Sequence, residues 1–97
     1  MLETLTHETL SQYVDDTFQL EIADQAPIEV RLIEVTATGG TRLERQPFSA
    51  IFRGPAEPVL DQAIYGIQHE KLGPLDLFLV PIGATANGEL DYEAVFT

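Results

Sequence analysis

Hydrophobic and polar positions alternate with period two along most of this chain. Phe18, Leu20 and Ile22 are separated by Gln19 and Glu21, the pattern of a half-buried strand. Ile28, Val30 and Leu32 alternate with Glu29 and Arg31, and then Ile33, Val35 and Ala37 take the apolar role around Glu34 and Thr36. The apolar parity flips at Leu32-Ile33. A β-bulge at that step bends the strand and restores the inward set. Barrels and strongly coiled sheets turn corners with such strands. Phe48, Ala50 and Phe52 resume the alternation. Further strands are predicted over Ile64 to His69, beginning near Gln62, and over Leu75 to Val80. In the latter, Phe78 and Val80 add an apolar second face, which predicts a central strand or one covered by a helix. The final strand, Leu90 to Thr97, sets Tyr92, Ala94 and Phe96 against Glu93, Val95 and Thr97, and runs to the last residue.

The one helix signal is at the start. Thr6 is an N-cap, Glu8 faces the positive end of the helix dipole, and Leu5 and Leu10 are placed to form a hydrophobic staple. Leu10, Tyr13 and Val14 repeat at helical spacing up to Asp15-Asp16, about two to three turns, too short to stand alone. Turns fall at Asp24 to Pro27, Gly39-Gly40, Gly54 to Pro58, Glu70 to Pro74, and in a loop from Pro81 to Asn87-Gly88. No helical crossover separates the strands, so the sheet is read as antiparallel. The expectation is a single mostly β domain over residues 1–97. It is a small antiparallel β-barrel or two-sheet sandwich of about six strands, with one short N-terminal helix plugging an end or covering a face. About six strands, one connection blocked by prolines, are few for full closure, so at least one open edge is expected.

Composition narrows the function. The chain has 16 acidic and 5 basic residues and a net charge of −11, which opposes nucleic acid and anionic membrane surfaces. It has no Cys, which removes disulfides and thiolate ligands. No apolar run is long enough to span a membrane. The acidic N-terminus is unlike a signal peptide, so cytoplasmic synthesis is expected, with delivery into a particle or filament by another route left open.

Candidate chemistry is sparse. His7 and His69 lie on different elements without ligand spacing; His69, at a strand end beside Glu70-Lys71, reads as a turn cap through a backbone bond. Asp91 and Glu93 share the solvent face of the last strand. Neither Ser11 nor Ser49 sits in a nucleophile elbow, and Gly39-Gly40-Thr41 lacks the rest of a phosphate loop. No catalytic, cofactor-binding or metal-ligating set emerges. Arg53 leaves a strand where the chain turns, and reads either as a tie to a nearby acid or as an interface residue. The candidate contact residues are Arg42, Arg45, Phe52, Arg53 and His69. Arg42 and Arg45 stand on the Gly39-to-Pro47 loop, where they are placed to meet the acidic surface of a neighbouring copy.

The order Phe52-Arg53-Gly54-Pro55, Ile64-Tyr65-Gly66-Ile67-Gln68-His69, Leu72-Gly73, Leu75 to Gly83 (LDLFLVPIG) and Tyr92 to Phe96 (YEAVF) resembles a small bacterial domain family of unknown function. Leu2 to Thr6 with the short helix and Phe18 is similar to that family's start. The resemblance implies no activity. It implies a neighbourhood of proteins with phage-tail-collar-like domains, and hence a component or assembly partner of a tail-like filament or appendage. The expected function is a non-enzymatic interaction module that associates with itself or with a larger appendage protein. The alternatives are a small-ligand-binding barrel or minor enzyme with its mouth near His69 and Arg53, and an acidic chaperone for a basic partner.

Overall fold

A computed structural model describes residues 6–23, 25–37 and 47–96 of the chain. They form α1 (His7–Ser11), β1 (Thr17–Glu21), β2 (Ile28–Ala37), β3 (Phe48–Gly54), β4 (Ala63–His69), β5 (Gly73–Ala84) and β6 (Leu90–Phe96). The strands close into an antiparallel barrel in the order β1-β2-β3-β6-β5-β4. Closure is made by Gln19↔Gln68, Leu20↔Ile67 and Glu21↔Gly66 between β1 and β4. The expected open edge is therefore corrected: every strand of the barrel has a neighbour on each side. None of the helices among the described residues is long and apolar enough to cross a membrane.

Two bends let so few strands close. The first is the bulge foreseen at the parity flip. Leu32 pairs with Phe52 and Glu34 with Ile51, which leaves Ile33 as the extra residue. The second lies in β5 between Pro81 and Gly83. The sequence reading ended that strand near Val80. Pro81 instead stays within β5, opposite Tyr92, next to a bulge where a missing N–H is tolerated. The loop to β6 shrinks accordingly. Asn87-Gly88 makes its turn, with Gly88 at φ 87° and its N–H donating to the Thr85 carbonyl at 3.0 Å.

The inward parity of all six strands fills the interior. Phe18, Leu20, Leu32, Ala50, Phe52, Ile67 and Leu79 are fully buried, and Phe48, Tyr92, Ala94 and Phe96 nearly so. Phe18 meets Phe52 edge-on, and Phe48 stacks on Phe96 with centroids 4.4 Å apart. Leu10 of α1 is the helix's buried residue. The Thr6 cap forms as expected, its hydroxyl accepting from the Thr9 N–H at 3.1 Å. Leu5 of the staple lies outside the described residues. The helix is shorter than its periodicity suggested: it gives way to turns at Gln12, and Asp15 takes a left-handed φ of 80°. That reversal sends the Asp15 N–H to the Leu32 carbonyl at 2.6 Å, and the Leu32 N–H to the Asp16 carbonyl at 3.1 Å. The helix end is thus tied to β2 at the edge of its bulge.

Strand β6 lies between β3 and β5 and pairs with both. Deleting Tyr92 through Thr97 removes that strand and the buried Tyr92 and Phe96. A buried aromatic contributes about 3–5 kcal/mol, against roughly 5–15 kcal/mol of total stability for a domain. The truncated chain is expected to be unfolded or insoluble by circular dichroism and thermal denaturation. A soluble truncation that melts with the full chain would contradict the fold.

Candidate functional site

His69 is buried, at 6% exposure, where β4 turns towards β5. Its Nδ1 accepts from the backbone N–H groups of Lys71 at 3.1 Å and Leu72 at 3.2 Å. The ring proton therefore sits on Nε2, which donates to Asp16 Oδ2 at 2.9 Å. The ring also lies against Tyr13 and Phe18. One side chain thus ties the helix end, β1 and the β4–β5 turn together, and its turn-capping role matches the sequence reading. Both ring nitrogens are engaged, so neither is left to act on a ligand.

Arg53 is held in the same manner. It stands directly across from Asp91 on β6. Its Nε and Nη2 donate to the two carboxylate oxygens at 2.8 and 3.1 Å, a bidentate geometry. The bond to Asp91 raises the pKa of the guanidinium from its ordinary value, with burial opposing and the charges of Asp91 and Glu89 adding to the rise. On its other side Arg53 faces Arg31 of β2, so Asp91 offsets a like-charge pair across the sheet.

Phe52, read as a candidate contact residue, has 0% exposure and points into the barrel. Its place in the inward alternation decides this, and it offers a partner no surface. Arg42 and Arg45 lie outside the described residues. His7 sets its ring edge-on to Phe48. Among the described residues, no three His, Asp or Glu side chains gather as a metal-binding cluster. Arg53 and Arg31 line one open cleft of about 550 Å³, and His69, Asp16 and Glu70 line a neighbouring one of about 450 Å³; Thr17 and Glu29 line both. The barrel interior is filled by side chains.

Tyr92 closes one flank. It is buried, and its hydroxyl accepts from the Leu60 N–H at 3.1 Å, drawing Leu60 of the β3–β4 connection into the core. The Tyr65 hydroxyl donates to the Asp61 carbonyl at 2.7 Å. Desolvation first, and then the charge of Asp61, raise the Tyr65 pKa above its ordinary 10.0.

The surface feature that the sequence reading missed lies on the outer side of β4, β5 and β6. Ile64, Phe78 and Val95 are 70%, 51% and 61% exposed. Ile64 stands opposite Phe78. Extending the Leu79↔Ala94 register by one residue sets Phe78 beside Val95. The three form an apolar row across adjacent strands. One neighbouring row is Glu21, Gly66 and Asp76. Gly66 leaves space there: a Cβ on it would come within 3.2 Å of Glu21 Oε1. The row on the other side is Val80, Glu93, Ile51 and Glu34. The signal was present, because β5 reads as apolar on both faces. Of the two readings of that strand, central or helix-covered, the first holds: β5 lies between β4 and β6, and the helix packs against β2.

A filled, closed antiparallel β-barrel, with its polar side chains committed to fastening the ends and an apolar row outside, is the class of protein that this arrangement defines. The chain matches the domain of unknown function DUF6916 over residues 5–96 and belongs to that family. No curated protein and no solved structure matches the chain.

Two measurements check the assigned roles. His69→Ala is expected to cost about 2–4 kcal/mol, since it strands two backbone N–H groups and the Asp16 contact. His69→Asn, which keeps an acceptor near the Nδ1 position, is expected to lose less. Equal losses by chemical denaturation would contradict the cap. Asp91→Asn is expected to lower the stability, by loss of its ion pair with Arg53, and Arg31→Ala added to it to restore part of that loss. Strict additivity of the two changes would contradict coupling along the row.

Proposed function

We propose that the chain is a non-catalytic interaction module that docks on another protein through the outer face of β4, β5 and β6. The observation that carries this reading is the alignment of Ile64, Phe78 and Val95 on three adjacent strands. Single exposed apolar side chains are ordinary on any protein. A contiguous row rimmed by polar residues marks a contact surface. Closure supports the reading, because each strand of the barrel has a neighbour on either side, so no strand lies at an open sheet edge. Side chains on an outer face are then the larger surface for contact. The commitment of His69 and Arg53 to the fold agrees with a role that needs no reactive group. A larger appendage protein, of the kind that the sequence resemblance implies, is the first partner to examine.

The test is site-specific photocrosslinking in the native cell. A photoreactive phenylalanine analogue at Phe78 is expected to crosslink to a protein, while the same analogue at Glu29, across the barrel on β2, is expected to give none. Absence of a protein adduct at Phe78, with the variant folded and expressed, would overturn the proposal.

A further inference from the structure

We infer that the partner seated on the β4–β5–β6 face is a protein surface with an apolar centre bordered by Lys or Arg, and that a second copy of this chain presenting the same face is not its occupant. This rests on the reading of that face as a contact surface. The argument is charge. The rows flanking Ile64, Phe78 and Val95 carry Glu21 and Asp76 on one side and Glu93 and Glu34 on the other. Neither those rows nor the apolar row itself contains a Lys or Arg. Asp76 and Glu93 each stand two residues before an apolar member of the row on the same strand, Phe78 and Val95, and so on the same face. Any partner burying Phe78 therefore brings its own rim against carboxylates.

A second copy cannot meet this requirement by pairing the same face. An isologous contact places Asp76 and Glu93 of one copy against those of the other, on a chain whose net charge is already −11. The basic side chains among the described residues lie elsewhere. Arg53 is bonded to Asp91. Arg31 is on β2, which stands opposite β5 in the strand order. Lys71 is in the turn before β5. A basic rim on the partner instead converts each flanking carboxylate into an attraction, raising the association rate and excluding acidic competitors.

The experiment uses the full chain, isotope-labelled on backbone amides and on Ile, Leu and Val methyl groups. It is titrated with three synthetic peptides of equal length that alternate Leu with Lys, Leu with Glu, and Ser with Lys. The Leu–Lys peptide is expected to shift the signals of Ile64, Phe78 and Val95. The Leu–Glu peptide is expected to bind that face at least about tenfold more weakly. Asp76→Asn combined with Glu93→Gln should remove most of that preference, and Phe78→Asp should abolish the shifts. Equal binding of the two Leu peptides at this face would leave the contact surface standing and overturn the basic partner. Equal shifts with the Ser–Lys peptide would reduce the contact to charge alone and overturn it as well. No shift at the face with any peptide would overturn both readings. Phe78-dependent dimerisation in sedimentation runs, or Phe78-dependent binding to phosphatidylcholine vesicles, would assign the face to a second copy or to a lipid surface and overturn the inference.

Discussion

The pairing of β1 with β4 is the contact on which the rest of the molecule depends. It joins strands far apart in the chain, so its loop-closure entropy must be met by the burial that it completes. Leu20 and Ile67 are directly opposite in that pairing, and both are fully buried. Closure fixes the inside and outside of every strand at once, because a slip of one residue would send each inward side chain to the surface. The bulge at Ile33 and the bend between Pro81 and Gly83 make the closure geometrically possible.

The ends of the barrel then account for the polar residues that looked most like candidates for chemistry. A barrel this small has turns and a helix end whose backbone groups need partners. His69 satisfies two of them and reaches Asp16. Tyr92 satisfies the N–H of Leu60 from inside the core. Arg53 and Asp91 pair across β3 and β6 where the strands leave the barrel. Each of these side chains is held by the closed sheet and in turn fastens a segment to it. On the outer face, the row of Ile64, Phe78 and Val95 departs from a polar surface.

Much of the fold was legible in the chain because alternation is a local property. The Thr6 cap, the Leu32-Ile33 bulge, the Asn87-Gly88 turn and the turn-capping role of His69 each follow from a few neighbouring residues. Closure was not legible, since alternation gives the parity of a strand but not its partners, and β1 meets β4 only in three dimensions. Pro81 was read as a loop residue because the bulge that tolerates it is set by β6. The outer apolar row was half legible. Phe78 and Val80 announced a second apolar face on a strand either central or covered by the helix; β5 is central, and the helix docks on β2, so the face stays open. Val95 was read as an outward residue of its strand, and its neighbourhood with Phe78 and Ile64 depends on the order β4-β5-β6. Phe52 shows the converse: its place beside Arg53 drew attention, while its parity placed it in the core.

The partition between a closed, filled interior and an apolar outer row can be measured without a partner. The dilute full chain, with labelled Ile, Leu and Val methyl groups, is exposed to a neutral soluble paramagnetic agent. The account predicts strong relaxation enhancement at the Ile64 and Val95 methyl groups, and protection at Leu20, Leu32, Ile67 and Leu79. Protection of Ile64 and Val95 at the level of the core methyl groups in the monomer would contradict it, as would exposure of Leu20 and Ile67 at the β1–β4 seam.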